Sequence, residues 1–218
     1  MSSLSKMQHP GYNELIEFAS SGELATEIKK ARAEFVNRTG DLFESDDDFE
    51  ARIASFLEWY TLDRKVTSVV NLTPAKLFAQ HRRPNLTTPE LQELHDFART
   101  TLSIFEIKKI KDRSLRLVDI LTGTKWNIDT AHPLVGLEAS DLIEGRLFNF
   151  RGATLLSDIV HTHPHNAKKE ILKAAKEFRK EGQGYTRVDM VHRIAFLRNR
   201  SVRYSHLDAR EIFTELSV

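Results

Sequence analysis

Ser103-Ile-Phe-Glu-Ile-Lys-Lys-Ile110, Leu115-Arg-Leu-Val-Asp-Ile-Leu121 and Lys125-Trp-Asn-Ile128 follow one another with only short gaps between them. These runs are rich in β-branched and aromatic residues and alternate loosely. Turn residues separate them, at Asp112-Arg113 and at Thr122-Gly-Thr124. Consecutive hairpins read this way. A longer connection containing His132-Pro133 and Gly136 leads to Leu142–Phe150, and Arg151-Gly152 turns into Ala153–Ile159. Residues 102–160 are therefore expected to form a small antiparallel, β-barrel-like sheet of about five strands. Gly145 marks a bulge or bend in the fourth of them, and Asp119, just before a turn, is placed to cap backbone N–H groups.

Outward from this stretch the pattern becomes helical. Gly11–Ser20 and Glu23–Thr39 precede it, the second with Leu24, Ile28, Ala31 and Phe35 on one face and Gly40 as a left-handed stop. Asp46–Asp63 has the densest apolar stripe of this part, Phe49, Ile53, Phe56, Leu57 and Tyr60, with Trp59 beside it. Ser45 and Asp48 have capping-box spacing at its start, and the Asp46–Asp48 run suits the positive end of a helix dipole better than a metal site. Thr73-Pro74 and Thr88-Pro89 open Ala75–Gln80 and Glu90–Thr100 with a capping hydroxyl before proline. His81-Arg-Arg-Pro84 between them reads as a solvated linker. After the sheet, Asn166–Glu181 carries Ile171, Leu172, Ala175 and Phe178 on one face. Gly182-Gln-Gly184 breaks it. Thr186 and Asp189 then box the start of Val188–Arg200, and Leu207–Leu216 adds a last helix. The fold class is α+β, with the sheet flanked by N- and C-terminal helices. The expected organisation is a single domain, 1–218, made of a helical block (1–101), the β segment (102–160) and a basic helical tail (161–218).

Composition narrows the function classes. Hydrophobic residues at 40% and charged residues at 29% are ordinary globular values, which excludes wholesale disorder. The absence of cysteine excludes disulfides, zinc–thiolate sites, iron–sulfur clusters and a thiol nucleophile. No apolar run approaches the ~20 residues of a membrane span, and Met1–Pro10 has no secretory-type apolar core, so a cytoplasmic protein is expected. Net charge is +1, spread as −4 over residues 1–102 (12 Lys+Arg, 16 Asp+Glu), zero over 103–160 (8 and 8) and +5 over 161–218 (12 and 7). No GxGxxG, GxxxxGK[ST] or GxSxG pattern occurs, so no nucleotide loop or serine elbow is signalled and no cofactor is expected.

Two clusters remain. His161-Thr-His-Pro-His165 places His161, His163 and His165 two apart, which on an extended strand turns them to one side, as ligands of one metal ion would be. His161-Thr-His-Pro164 resembles the core motif of JAMM-type metallopeptidases. The positions that family fills with serine and aspartate are Ile171 and Ala174 here, so its carboxylate ligand is missing and only a looser site with Glu170 or Asp158 is left. The second cluster, Arg193, Arg198, Arg200 and Arg203, offers cations to a nucleic acid or to an acidic protein.

Phe56-Leu-Glu-Trp-Tyr60 with Asp63-Arg64, Leu72-Thr-Pro74, and Asp119-Ile-Leu-Thr-Gly123 together resemble a family of uncharacterised bacterial proteins. In that family a helical block precedes a β-rich segment and a basic helical tail. The resemblance implies a bacterial, cytoplasmic protein and brings no activity with it. The first functional expectation is a non-enzymatic adaptor or regulatory protein that binds another protein. The alternatives are a nucleic-acid binder using the four arginines and a metal-dependent hydrolase centred on the histidines.

Overall fold

The computed structural model describes residues 11–67, 71–111, 114–129, 136–181 and 184–216. The turn at Asp112-Arg113, the His132-Pro133 connection, residues 182–183 and the first ten residues lie outside them. The chain is α+β. Its strands are β1 (Thr101–Lys111), β2 (Ser114–Asp119), β3 (Lys125–Asp129), β4 (Leu142–Phe150), β5 (Ala153–Leu156) and a two-residue β6 (His161–Thr162). They form the five-strand path β3-β2-β1-β4-β5, with β6 pairing on β4. The β1–β2, β2–β3, β4–β5 and β4–β6 pairs are all antiparallel. The irregularity in register lies in β1, between Ile107 and Lys109. Gly145 sits where β4 changes partner, between the residues that pair with β6 and those that pair with β5.

Asp119 closes the β2–β3 turn from inside. It is 1% exposed and its Oδ1 accepts hydrogen bonds from Ser103 Oγ (2.7 Å) and from the backbone N–H groups of Leu121 (2.9 Å) and Thr122 (3.2 Å). Gly123 follows at φ +82°, a conformation glycine adopts without strain, and its N–H donates to the Asp119 carbonyl.

The described residues gather into two compact units. The first takes the chain up to Asn37, then Asp41–Thr101 and Leu147–Ile159; the second takes Arg38–Gly40, Leu102–Arg146 and the chain from Val160. Helices α1 (Tyr12–Ser20), α2 (Ala25–Thr39), α3 (Phe49–Leu62), α4 (Pro74–Arg82) and α5 (Thr88–Phe97) precede the sheet. In the first unit Tyr12, Leu15, Leu62, Phe78, Leu94, Phe97 and Phe148 form one apolar cluster. Phe97 meets Tyr12 and Phe148 edge-on, at ring separations of 6.1 and 6.2 Å. Phe56 and Tyr60 of α3 are buried as expected, whereas Phe49 and Ile53 are half-buried. Arg52, Glu58 and Trp59 are buried too, so α3 is covered on more than one face.

Two caps differ from expectation. The Ser45–Asp48 stretch forms turns, and α3 starts only at Phe49, because Asp46 turns back to accept from the Phe43 N–H at 3.1 Å. At α5 the cap is Thr87, one residue early: its N–H and hydroxyl both donate to Glu90 (2.8 and 2.6 Å). Thr73 caps α4 as expected, accepting from the Lys76 N–H.

A buried ionic group also holds the first unit. Arg64 donates through Nη1 to Glu27 (3.1 Å) and through Nε to Glu34 (2.8 Å), and the Thr67 N–H and hydroxyl add hydrogen bonds to Glu27. Burial pushes the Glu27 carboxyl up. The hydrogen bonds from Thr67, then Lys30 and Arg64, outweigh it and hold the group at about 2.

The second unit carries α6 (Lys168–Glu181), α7 (Arg187–Arg203) and α8 (Ala209–Phe213). Ile104, Ile120 and Leu142 from the sheet segment form its core with Ile171, Val191, Ile194 and Phe213. The Thr186–Asp189 capping box is present at the start of α7.

Two outcomes follow for stability. Arg64→Ala removes one cation from Glu27 while Lys30 and Thr67 stay, and is expected to destabilise the protein by about 1–3 kcal/mol, read as a lower urea midpoint; an unchanged midpoint contradicts this. A fragment of residues 101–218 keeps Phe148 but loses the Tyr12, Leu15 and Phe97 side chains it packs with. It is expected to aggregate or to lack a cooperative melt; a soluble, cooperatively melting fragment contradicts that.

Candidate anion-binding face of the sheet

Side chains directly opposed in an antiparallel ladder share a face, and so do residues two apart along one strand. Lys109 lies opposite Arg116, and Arg116 opposite Asn127. Lys111 lies opposite Ser114, and Ser114 opposite Asp129. These two three-strand rows make one polar face. The other face carries the row Ile110, Leu115 and Ile128, of which Leu115 and Ile128 are each 2% exposed. The register shift after Ile107 decides the arrangement, since it determines which of Lys108 and Lys109 joins the rows. Lys108 pairs with Glu106 at 2.6 Å. Lys109 and Lys111 have no ion-pair partner among the described residues.

The polar face is concave. An open depression of about 350 Å³ is lined by Lys109, Lys111, Ser114, Arg116, Asn127 and Asp129 of this face, together with Leu115 and Ile128. Like charges directly opposite one another destabilise a sheet, so the Lys109–Arg116 pair weakens the fold where it stands. Arg116 leans on Asn127, Nε donating to Oδ1 at 3.3 Å, which leaves the two terminal guanidinium nitrogens for other contacts. Chemically the face can attract and orient a negatively charged group. Its residues are visible in the sequence as Lys108-Lys109-Ile-Lys111 and Arg116. Their convergence is not, because it depends on a non-local register and on a bulge.

Of the four arginines of the α7 region, two meet at Glu215 and one is buried. Arg193 Nη2 donates to the Glu215 carbonyl (2.7 Å), and Arg200 Nη1 contacts both Glu215 carboxylate oxygens (2.7 and 2.8 Å). Both therefore tether the turn at Thr214–Leu216. Arg198 is buried, bonded through Nε and Nη2 to Asn199 Oδ1, while Asn199 donates to the Thr39 carbonyl. Arg203 stands exposed in the last turn.

The three histidines also part company. His161 is buried in β6 opposite Glu144 of β4. His163 is buried just beyond the strand, its N–H donating to the Leu142 carbonyl at 2.9 Å. Pro164 follows, and His165 begins a short 3-10 turn, exposed, with Nε2 3.5 Å from Asp141 Oδ1. A two-residue strand is too short to align all three. Among the described residues no group of three or more His, Asp or Glu side chains is placed to hold a metal ion.

Burial, then the positive charge of Arg198, holds the His163 ring down at about 3, and neither ring nitrogen has a hydrogen-bond partner among the described residues. Burial, then Arg38 and to a lesser degree Arg146, holds His192 at about 4, with Asp189 opposing. In the unfolded chain both titrate near 6.5. Between about 6.5 and about 4 the unfolded state binds protons that the folded state does not, so stability falls as pH falls. Two such groups give a slope of about 3 kcal/mol per pH unit in that window. The urea midpoint is expected to drop steadily over that range, and about half as steeply in His163→Gln. The same slope in wild type and variant contradicts this.

No helix among the described residues is long and apolar enough to cross a membrane. No curated protein and no solved structure matches the chain. Residues 27–199 match the model of a family of unknown function, DUF7986, and the chain belongs to that family.

Proposed function

We propose that the protein is a non-enzymatic adaptor or regulatory protein of the bacterial cytoplasm, and that it works by binding an acidic segment of another protein on the polar face of β1–β3. One observation carries this reading. Lys109 and Arg116 are set directly opposite each other, with Lys111 beside them, at a concave and exposed place. A fold gains nothing from such a pair by itself; a bound anion turns the repulsion into attraction. Charge complementarity of this kind governs partner choice and association rate. The arginines of α7 support it less well, since Arg193 and Arg200 are engaged with Glu215 and Arg198 faces inward.

The test is fluorescence anisotropy with a labelled short polyglutamate peptide, and with single-stranded oligonucleotides of matched charge in parallel. The peptide is expected to bind, and the double variant Lys109→Glu, Arg116→Glu to bind at least about tenfold more weakly, a loss of ~1.4 kcal/mol. Its melting temperature should change little, because the double variant exchanges one directly opposed like-charge pair, of two cations, for another, of two carboxylates. No peptide binding, or equal binding by the variant, overturns the reading. Preferential oligonucleotide binding that falls steeply between about 50 and 200 mM salt and is lost in Arg203→Ala would instead favour a nucleic-acid partner.

A further inference from the structure

The same face narrows the chemistry of the partner. Neighbouring strands lie ~4.8 Å apart and residues two apart on a strand ~6.8 Å apart, so the Cα atoms of Lys109, Lys111 and Arg116 mark three corners of a patch of roughly 5 by 7 Å. Three long cationic side chains rooted that closely can converge on a single group. Among the described residues that line it the cavity has one carboxylate, Asp129, so three positive charges less one negative leave these residues an excess of two. A carboxylate ligand brings one charge and two acceptor oxygens. A phosphate monoester brings about −1.5 to −2 and three strong acceptors. Only the second matches both the charge and the number of donors.

The donors have suitable geometry. The Asn127 contact fixes Arg116 through Nε and leaves its terminal nitrogens for the two-pronged approach that a guanidinium makes to phosphate. Each lysine adds an ammonium with three donors. Among the described residues the cavity lining contains no aromatic side chain, so they offer no platform on which a nucleobase would stack. At about 350 Å³ the cavity has room for the side chain that carries the phosphate as well as the phosphate itself.

We infer that the concavity at Lys109, Lys111 and Arg116 is a phosphate-binding site, and that the acidic partner is held there through a phosphorylated side chain. This rests on the reading that the face binds a protein segment. Titration calorimetry on the full chain, with four probes, tests both. The probes are a phosphoserine peptide of otherwise neutral sequence, the same peptide unphosphorylated, the same peptide with glutamate at that position, and inorganic phosphate. The phosphopeptide is expected to bind at least about tenfold more tightly than the glutamate peptide, the unphosphorylated peptide not measurably, and inorganic phosphate weakly at the same residues. Arg116→Lys keeps the charge but loses the fork, and should weaken the phosphopeptide several-fold. Equal affinity for glutamate and phosphoserine peptides overturns the phosphate inference and leaves the acidic-partner reading standing. Inorganic phosphate bound through these residues without any peptide binding supports the phosphate site and overturns the protein partner. No binding of any probe overturns both.

Discussion

A single buried carboxylate fixes the geometry on which the candidate site depends. Asp119 accepts from a β1 hydroxyl and from two backbone N–H groups of the turn that follows β2. It thereby holds β1, β2 and the start of the β2–β3 connection in one alignment. Because side chains alternate along a strand, a slip of one residue would turn Arg116 inward and Leu115 or Leu117 out to water. Burying a leucine stabilises by about 1.5–3 kcal/mol, so the slipped register is strongly disfavoured once the turn is closed. The polar rows of Lys109 and Lys111 are then set by the extra residue in β1. Turn chemistry and apolar burial thus determine where three surface cations meet.

The first unit shows the same logic with charge inside. Glu27 and Arg64 are each less than a tenth exposed, and each would be unfavourable alone. Together, with Thr67 and Glu34, they are satisfied. The residues that carry the family likeness fall into these structural roles. Arg64 belongs to the buried ion pair, Thr73 caps α4, and Asp119 and Gly123 make the β2–β3 turn.

Much of the fold was legible in the sequence, and for local reasons. Strand alternation, the Thr122-Gly-Thr124 turn, the Thr73-Pro74 cap and the Thr186–Asp189 box each operate within a few residues, and each is present. The exceptions are local competitions: Asp46 bonds to Phe43 before it can serve a helix, and Thr87 takes the capping position ahead of Thr88. The candidate site was hidden because it is made by pairing across strands. Lys109 and Arg116 are seven residues apart in the chain, and only the register and the bulge bring them face to face. Of the clusters that stood out in the sequence, Arg193 and Arg200 of α7 are engaged with Glu215, Arg198 is buried, and Pro164 separates His165 from His161 and His163.

The path of the chain between the two units has an evolutionary consequence. Residues 38–40 belong with the later unit although they end α2, and residues 147–159 belong with the earlier one although they continue β4. A crossover between genes at any single point would therefore separate side chains that share a core. Neither unit can be gained, lost or exchanged as one cassette. Any cut between residues 41 and 146 leaves Phe148 on a different piece from the Tyr12 and Leu15 of its own cluster. The family match, over residues 27–199, likewise runs across both units.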